Sequence, residues 1–369
     1  MNNNTSVTTG REPFARIIQR PELHGRKLFL LRTAALALAI TVGGIFIALM
    51  GRNPLEAYAL IIKGAFVGSV RNPFSSIEAT VETAIPLLIV SLGLSFAFKM
   101  KFWNIGGEGQ IIMGGIFASY FAINYSGLPH ILLIALMLLA GALGGGLWGL
   151  IPTVFKVKFG TNETLFTLML NYIALYIIRF LEAGPWQGTP VFESIAIFHE
   201  NSWLNEVGGV HTGWIFALLL TAASAFYLSR TKHGYEISVV GESPATARYA
   251  GMNVNRIILR TMFISAAVCG TAGMIQVAGI DHTLSTGITG GTGFTGITVA
   301  WLAKLNPVAV AVVTVLFSIL EKGSSEMRTV LKLDASIADV LQGIILFVFL
   351  GCEFFIRYGI VFSKRRRSK

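Results

Sequence analysis

The stretch KFWNIGGEGQ, residues Lys101–Gln110, interrupts a chain that otherwise carries long apolar runs. It packs three glycines, two amides, a tryptophan and the carboxylate of Glu108 into ten residues. Glycine and polar residues at this density predict a break in a helix. Unpaired backbone in lipid costs several kcal/mol per group, so a break is tolerated only where it is buried in protein or lines a water-filled cavity. The stretch therefore predicts a site on a path through the membrane.

The composition of the chain indicates a membrane protein. Of its 369 residues, 53% are hydrophobic and 13% are charged, whereas soluble domains carry about 25% charged residues. The apolar runs are continuous, which excludes the alternating strands of a β-barrel. The net charge of +10 is concentrated at the two ends and in short loops. This distribution is typical of cytoplasmic retention of Lys and Arg rather than of nucleic-acid binding.

Ten hydrophobic segments predict an all-α polytopic membrane protein with about ten transmembrane helices. In chain order they are Leu28–Met50, Ile77–Phe98, Gln110–Tyr125, Ile131–Phe155, Thr164–Leu181, Thr212–Leu228, Arg260–Ala278, Gly290–Ala303, Pro307–Leu320 and Ile337–Tyr358. The amphipathic stretch Leu55–Phe66 is expected at the membrane interface. This divides the chain into an N-terminal tail (1–27, partly disordered), a transmembrane domain (28–358) and a basic tail (359–369).

Charge predicts the orientation of these segments. The stretch Glu182–His211 has four glutamates and no Lys or Arg, whereas Arg230–Arg260 has five basic residues. The first is therefore expected outside and the second inside. Both termini then lie in the cytoplasm, which requires an even number of crossings, and ten crossings satisfy this requirement.

A second glycine-rich break predicts that the chain has two pseudo-repeated halves. GITGGTGFTGITVAWLA resembles NIGGEGQIIMGGIFA in the first half, since each leads from glycines into a short apolar helix. Broken or re-entrant segments in corresponding positions of two halves indicate a substrate path. The alternative is that the glycines permit close helix packing, which is favoured for GALGGGLWG in the fourth segment. The eighth segment, Gly290–Ala303, is too short to cross as a helix, so it either includes non-helical backbone or re-enters.

Polar residues in the apolar runs are the candidates for a substrate pathway, because ionisable groups in a membrane are costly. The candidates are Glu82, Trp103, Asn104, Glu108, Gln110, Asn171 and Phe294. Several have a structural alternative. Glu82 lies near an interface, the carboxylate of Glu108 can accept from the amides of Gly109 and Gln110, and Trp103 can serve as an interfacial anchor. Asn171 needs a partner, either another helix or cargo.

Other polar groups are explained by local structure or left open. Thr161 or Asn162 can cap the fifth segment, with Glu163 in its first turn. Asp281 and His282 mark either an entry site or a solvated loop. Cys269 and Cys352 lack the spacing of metal ligands and of a disulfide framework.

No catalytic constellation is present in the sequence. It has no phosphate-binding GxxxxGK[ST] loop, no HExxH and no paired cysteines. The chain is therefore expected to bind no cofactor, to hold no metal and not to be an enzyme. If ATP drives its function, another polypeptide must hydrolyse it.

The cytoplasmic loop at 231–256 carries a short polar helix. Ser243 can act as its N-cap, Pro244 as its first residue, and Gly251 can end it. A polar helix displayed between two membrane helices suits a docking site for a cytoplasmic partner. The alternative is a surface linker helix.

Four motifs resemble one family. Gly241, Pro244, Ala247 and Gly251 match the Gly–x–x–Pro–x–x–Ala–x–x–x–Gly pattern in the coupling segment of bacterial ABC-importer permeases of the ribose-type branch, which carries simple sugars and nucleosides. FWNIGGEGQIIMGG is similar to that branch's Phe–Asn–Ile–Gly–x–Glu–Gly–Gln signature, with Trp103 inserted between Phe and Asn. NETLFTLMLNYIA and GTGFTGITVAWLAKLNP also resemble it. The resemblance covers roughly residues 83–358.

The resemblance implies a permease subunit in a bacterial cytoplasmic membrane. It implies a cytoplasmic ATP-binding subunit that hydrolyses ATP, an extracytoplasmic substrate-binding protein and a second permease, expected to be a different and shorter chain. The residues implied in coupling to the ATPase are Gly241, Glu242, Ser243, Pro244, Ala247, Arg248 and Gly251. The alternatives are a branched-chain amino acid ABC permease and an ion-coupled secondary transporter. A channel would need charge rings that are not visible in the sequence.

Overall fold

The computed structural model describes residues 15–19, 26–189, 192–333 and 335–362. Its helices are α1 (Arg26–Leu49), α2 (Pro54–Phe66), α3 (Ser75–Lys99), α4 (Gly107–Asn124), α5 (His130–Phe159), α6 (Glu163–Ala183), α7 (Gly213–Arg230), α8 (Lys232–Glu242), α9 (Pro244–Tyr249), α10 (Val254–Gln276), α11 (Thr292–Leu302), α12 (Pro307–Leu331) and α13 (Ala335–Arg357). Its strands are β1 (Ala15–Gln19), β2 (Gln187–Thr189), β3 (Phe192–Ile195), β4 (Glu206–Val207), β5 (Val210–His211) and β6 (Tyr358–Phe362). Most of the chain is helical, and the strands form three two-stranded antiparallel pairs.

Within the described residues, seven helices are long and apolar enough to cross a membrane. They are α1, α3, α5, α6, α7, α10 with its continuation to Asp281, and α12. Each of the ten predicted segments has a helix as its counterpart, but ten crossings remain a prediction. In the eighth segment the helix α11 has only 11 residues, and non-helical backbone from His282 onward precedes it.

The structure corrects three details of the sequence-based prediction. The ninth segment was predicted to end at Leu320, but α12 continues to Leu331 because its polar end remains regular helix. The loop at 231–256, which was predicted to be cytoplasmic, contains a helix, α8, before the predicted helix that begins at Pro244. Short strands form in the segment between α6 and α7 and near the ends of the chain, where backbone groups outside helices pair with each other. The predicted tails lie largely outside the described residues, which omit 1–14, 20–25 and 363–369.

The described chain divides into two compact units. One comprises residues up to 61 and from 324 onward, in which α1 packs on α13 and β1 pairs with β6 in the register Ala15 to Phe362. The other comprises residues 62–323 and contains the two glycine-rich breaks. In this second unit α10 packs against α3, α4 and α5.

Glycines set the spacing of the helices in the second unit. A Cβ on Gly145 of α5 would lie 2.5 Å from the carbonyl oxygen of Ala266 on α10, and one on Gly141 would lie 3.2 Å from that of Gly270. The backbones of α5 and α10 therefore touch directly, as small residues permit in membrane proteins. The close packing predicted for GALGGGLWG is confirmed.

Candidate functional site

The first break is a compact turn between α3 and α4. Lys101 adopts the left-handed conformation with φ of 59°, which turns the chain back after α3. The side chain of Asn104 then accepts from the backbone N–H of Gly106 at 3.0 Å and from Nε2 of Gln110 at 3.0 Å. Asn104 Nδ2 donates in return to Gln110 Oε1 at 3.2 Å. The two buried amides thus satisfy each other and hold the turn, which answers how the broken backbone is tolerated.

Helix α6 holds the same break from the other side. Asn171 accepts from the backbone N–H of Gly109 at 2.9 Å and donates to the carbonyl of Ile105 at 2.9 Å. Thr167 accepts from the N–H of Ile105 at 3.2 Å. The partner required for Asn171 is therefore the broken backbone of α4. Asn162 caps α6 through the N–H of Leu165, which confirms the predicted cap.

Glu108 links the two breaks. Its Oε1 accepts from the backbone N–H of Gly293 at 3.0 Å and of Phe294 at 3.4 Å, at the start of α11. The sequence left open that the carboxylate accepts from the amides of Gly109 and Gln110, and the structure does not have these bonds. The N–H of Gly109 is taken by Asn171, and that of Gln110 by the carbonyl of Gly106.

The N-terminus of α11 lies directly against that of α4. A Cβ on Gly107 would lie 3.5 Å from Cα of Gly293, and one on Gly293 would collide with the backbone N of Glu108. Two helix N-termini, each with a positive dipole end, therefore converge on the carboxylate of Glu108. The likeness between the two glycine-rich stretches has a structural counterpart in this contact.

Trp103 stacks on Trp301 at the other end of α11. The ring centroids are 5.4 Å apart with an interplanar angle of 21°, and Phe98 lies 5.5 Å from Trp301. Trp103 is 49% exposed. Both ends of α11 are thus fixed to the first break, one by a carboxylate and the other by an aromatic stack.

Two cavities lie beside the second break. The first has a volume of about 330 Å³, and we call it the aromatic cavity. It is lined by Glu108, Ile112, Leu168, Asn171, Tyr172, Leu175, Thr286, Gly287, Thr289, Gly290, Gly291 and Phe294. Its volume falls at the low end of the range of about 300–1,000 Å³ for small-molecule sites.

The second cavity has a volume of about 280 Å³, and we call it the polar cavity. It is lined by Ala79, Glu82, Thr83, Pro86, Gln276, Ile280, Gly287, Ile288, Thr289, Gly290, Thr292, Glu321 and Lys322. Gly287, Thr289 and Gly290 line both cavities. The non-helical backbone before α11 is therefore a thin wall between them.

The end of α6 and the segment between α6 and α7 both hold that wall in place. Thr283 donates to the carbonyl of Ile195 at 3.0 Å, and Glu182 of α6 accepts from the N–H of Thr286 at 3.0 Å. The N–H of Phe198 donates to the carbonyl of His282 at 2.8 Å. His282 also stacks on Trp203, with ring centroids 4.1 Å apart. His282 is thus part of a packed cap and not of a solvated loop, while an entry site at Asp281 and His282 stays a prediction.

The burial of His211 predicts that this cap loses stability in acid. It is 1% exposed, and its Nδ1 accepts from the N–H of Gly213 at 3.3 Å. Burial, with a smaller contribution from the charge of His282, lowers the pKa of His211 from 6.5 to about 4. A lowered pKa means that the unfolded chain binds the proton more readily, so stability is present above pH 6.5 and is lost as pH falls toward 4. The loss is on the order of 2–3 kcal/mol.

The measurement is thermal unfolding of the purified protein at pH 7 and pH 5. The matched variant is His211→Asn, whose Oδ1 can accept from Gly213 but cannot be protonated in this range. The native protein should lose more stability between the two pH values than the variant does. Equal losses in the two proteins would contradict this assignment.

The predicted coupling segment contains the two helices α8 and α9. Ser243 caps α9 by accepting from the N–H of Thr246 at 3.2 Å, Pro244 begins the helix, and Gly251 follows it with φ of 76°. These three predictions are confirmed. Ala247 is fully buried, in a cluster that includes Phe96 at the inner end of α3.

The coupling segment touches the first break directly. A Cβ on Gly241 would collide with the carbonyl oxygen of Lys99, the last residue of α3. A third cavity, of about 300 Å³, lies at this junction and is lined by Met100, Lys101, Phe102, Lys156, Glu163, Val240, Gly241, Glu242, Pro244 and Ile258. Displacement of α9 would therefore be felt at the residues that precede Trp103.

The outer face of α9 is open. Tyr249 is 97% exposed, and Pro244, Thr246 and Arg248 are also exposed. Arg260 of α10 and Glu236 of α8 form an ion pair at 2.8 Å. Helix α9 itself packs against the protein through the buried Ala247, and its opposite side is exposed.

The predicted site residues separate into two groups. Glu108, Asn171 and Phe294 line the aromatic cavity and Glu82 lines the polar cavity, whereas Trp103, Asn104 and Gln110 line neither. The lining residues that were not among the predicted site residues include Tyr172, Thr289 and Lys322. Lys322 was not considered because the ninth segment was predicted to end at Leu320, whereas α12 continues past it.

The chain is similar in sequence to known transport proteins. The sequence profile of the family described as "Branched-chain amino acid transport system / permease component" matches residues 76–350. The glucose ABC transporter permease protein TsgB13 of Haloferax volcanii is 29% identical, over 89% of this chain and 89% of its own. The nucleoside ABC transporter permease protein NupB of Lactococcus lactis is 29% identical, over 87% and 90%. The guanosine ABC transporter permease protein NupP of Bacillus subtilis is 28% identical, over 88% and 93%.

Proposed function

The chain belongs to the family described as branched-chain amino acid transport system permease components, and on this premise we propose that it forms the membrane pathway of an ATP-driven importer for nucleosides or a related sugar-bearing solute. Members of this family are transport components rather than enzymes. The relatives named above are ABC transporter permeases for glucose, nucleosides and guanosine. The three solutes that these relatives carry either are a sugar or contain one, which supports this class of solute over branched-chain amino acids.

The observation that carries the pathway is the junction at Glu108. One carboxylate joins the N-termini of α4 and α11, and cavities lie on both sides of the backbone that precedes α11. Broken helices whose N-termini meet beside cavities are the arrangement that transporters use at a binding site. Solute would pass along Glu82, Glu108, Asn171 and Phe294. Trp103, Asn104 and Gln110 hold the moving parts in position.

The coupling segment supports the proposal that ATP hydrolysis by a partner subunit drives transport. We infer that a cytoplasmic ATP-binding subunit docks on Glu242–Gly251 and moves α9 when it closes on ATP. The movement would pass through the contact of Gly241 with Lys99 to the first break. In this proposal α9 is the lever, and the junction at Glu108 is the gate that it moves.

The remaining partners follow from the same proposal. A second permease, expected to be a different and shorter chain, would complete the pathway. An extracytoplasmic substrate-binding protein would deliver the solute to the side that carries the segment between α6 and α7. Both termini would lie in the cytoplasm of a bacterial cell, with the multi-pass domain in its cytoplasmic membrane.

Reconstitution tests the function. The complete importer, with its ATP-binding subunit, second permease and binding protein, should accumulate uridine in vesicles only when ATP is supplied. The permeases without the ATP-binding subunit should not concentrate uridine at any ion gradient. Uphill accumulation by the permeases alone would show an ion-coupled transporter, and accumulation of leucine in place of uridine would show the amino acid alternative.

Arg248 tests the docking surface. Arg248→Glu reverses a charge on the open face of α9, and like charges at an interface cost several kcal/mol. Co-purification of the ATP-binding subunit should fall at least tenfold. Lys63→Glu is the control, because Lys63 is exposed in the last turn of α2 and carries the same charge reversal on another helix. Equal retention by the two variants would contradict docking on α9.

A further inference from the structure

The polar cavity is lined by two opposite charges that do not form an ion pair with each other. Glu82 of α3 and Lys322 of α12 both line it. Neither side chain makes a hydrogen bond or an ion pair with any residue in the described part of the chain. The cost of a charge at membrane depth is normally reduced by pairing. Two unpaired charges that face one cavity therefore indicate a ligand that satisfies both.

The two groups have complementary hydrogen-bonding capacity. A carboxylate only accepts hydrogen bonds and an ammonium only donates them, whereas a hydroxyl does both. Two adjacent hydroxyls can donate to the carboxylate of Glu82 and accept from the ammonium of Lys322. The hydroxyls of Thr83, Thr289 and Thr292 extend the same lining.

The charges also select against ionic solutes. Glu82 and Lys322 place one negative and one positive charge at the cavity. Glu82 would repel a phosphate or carboxylate, and Lys322 would repel a cationic amine. A neutral solute with several hydroxyls meets no repulsion from either charge.

The position of the cavity suits an early stage of transport. Glu82 lies seven residues after the start of α3, which corresponds to about 10 Å along the helix. That end of α3 is the one expected outside. Only the thin wall of Gly287, Thr289 and Gly290 separates the polar cavity from the aromatic cavity.

We propose that Glu82 and Lys322 form a subsite that binds the 2′,3′-diol of a ribosyl ring. This assignment rests on the proposed function and deepens it, since it names the part of the solute that is recognised. In this proposal the aromatic cavity, which is lined by Tyr172 and Phe294, does not bind the diol.

The test compares uptake of uridine and of 2′-deoxyuridine, which lacks one hydroxyl of the diol. The complete importer is reconstituted with native chain, Glu82→Gln or Lys322→Met, and initial uptake rates are measured at equal, subsaturating concentrations. The uridine-to-deoxyuridine rate ratio is compared between proteins. The binding protein contributes equally to every ratio, so its own preference cancels, as does any difference in the amount of folded protein.

The ratio should fall about tenfold or more in each variant, the loss expected for one hydrogen bond to a charged group. Phe294→Leu is the control, because Phe294 lines only the aromatic cavity. It should lower both rates and keep the native ratio. Because the two variants change different helices, failure of one to fold leaves the other to decide.

Two results overturn the subsite, and they are distinguishable. Uptake with the native ratio in both variants would contradict the diol subsite alone. Absence of uptake of either nucleoside by the native importer would contradict the proposed function and the subsite together.

Discussion

Glu108→Leu should abolish uptake and lower the free energy of unfolding by about 2–4 kcal/mol. The substitution leaves the backbone N–H groups of Gly293 and Phe294 without their acceptor. It also removes the negative charge from the N-termini of α4 and α11. The start of α11 would then lose its fixed position relative to α4, and the wall between the two cavities would move with it. The measurements are ATP-driven uptake in vesicles and thermal unfolding of the purified protein.

Glu108→Gln separates the charge from the shape. The amide oxygen can still accept from Gly293, so this variant should lose only about 1 kcal/mol and retain part of the uptake. Glu56→Gln is the control, because Glu56 is exposed on α2. It should behave as the native protein does. Native stability in Glu108→Leu would refute the bridging role of the carboxylate.

Gly273→Ala should be the most destabilising single methyl in the second unit. A Cβ at this position would collide with the carbonyl oxygen of Ile111 and lie 2.7 Å from the backbone N of Gly115. Both atoms belong to the backbone of α4 and cannot rotate away, so α4 and α10 would have to separate. Overpacking of this kind costs about 1–3 kcal/mol or more, and we expect the upper end. The measurement is the thermal unfolding midpoint together with the yield of folded protein.

Gly343→Ala is the matched control for Gly273→Ala. Gly343 lies within α13, and an added Cβ there meets no atom within 4 Å. Since alanine favours helix over glycine by about 1 kcal/mol, this variant should be neutral or slightly stabilised. If both variants shifted the unfolding midpoint alike, contact between the backbones of α4 and α10 would not be the cause.

Local features of this chain were legible in the sequence because short-range rules govern them. The glycines and amides of KFWNIGGEGQ break the helix before Gly107, and Ser243 and Pro244 begin α9. Each of these depends on neighbours within a few residues, through caps, turns and hydrophobic length. The end of α12 was missed for the same reason, since hydropathy falls at Glu321 while helical backbone continues.

The hydrogen-bond partners of the polar side chains could not be predicted from the sequence. The sequence allowed the Glu108 carboxylate to accept from the amides that follow it, but the carboxylate accepts from Gly293, 185 positions later. It offered Asn104 and Gln110 to cargo, but the two amides pair with each other. The local sequence decides which backbone N–H groups stay free at the end of a helix. The packing of helices that are distant in sequence decides which acceptor reaches those groups.

The sequence by itself thus determined that this protein is a helical membrane chain with two glycine-rich breaks and a short exposed helix that begins at Pro244. Hydrophobic length and the conformational freedom of glycine act along the chain, so they can be recognised without coordinates. Only the tertiary structure decided that the two breaks meet at Glu108, and that Glu82 and Lys322 face one cavity. Those contacts arise from the packing of α3, α4, α11 and α12. Hydrogen bonds between helices join residues at no fixed separation in the sequence, so no sequence pattern predicts them.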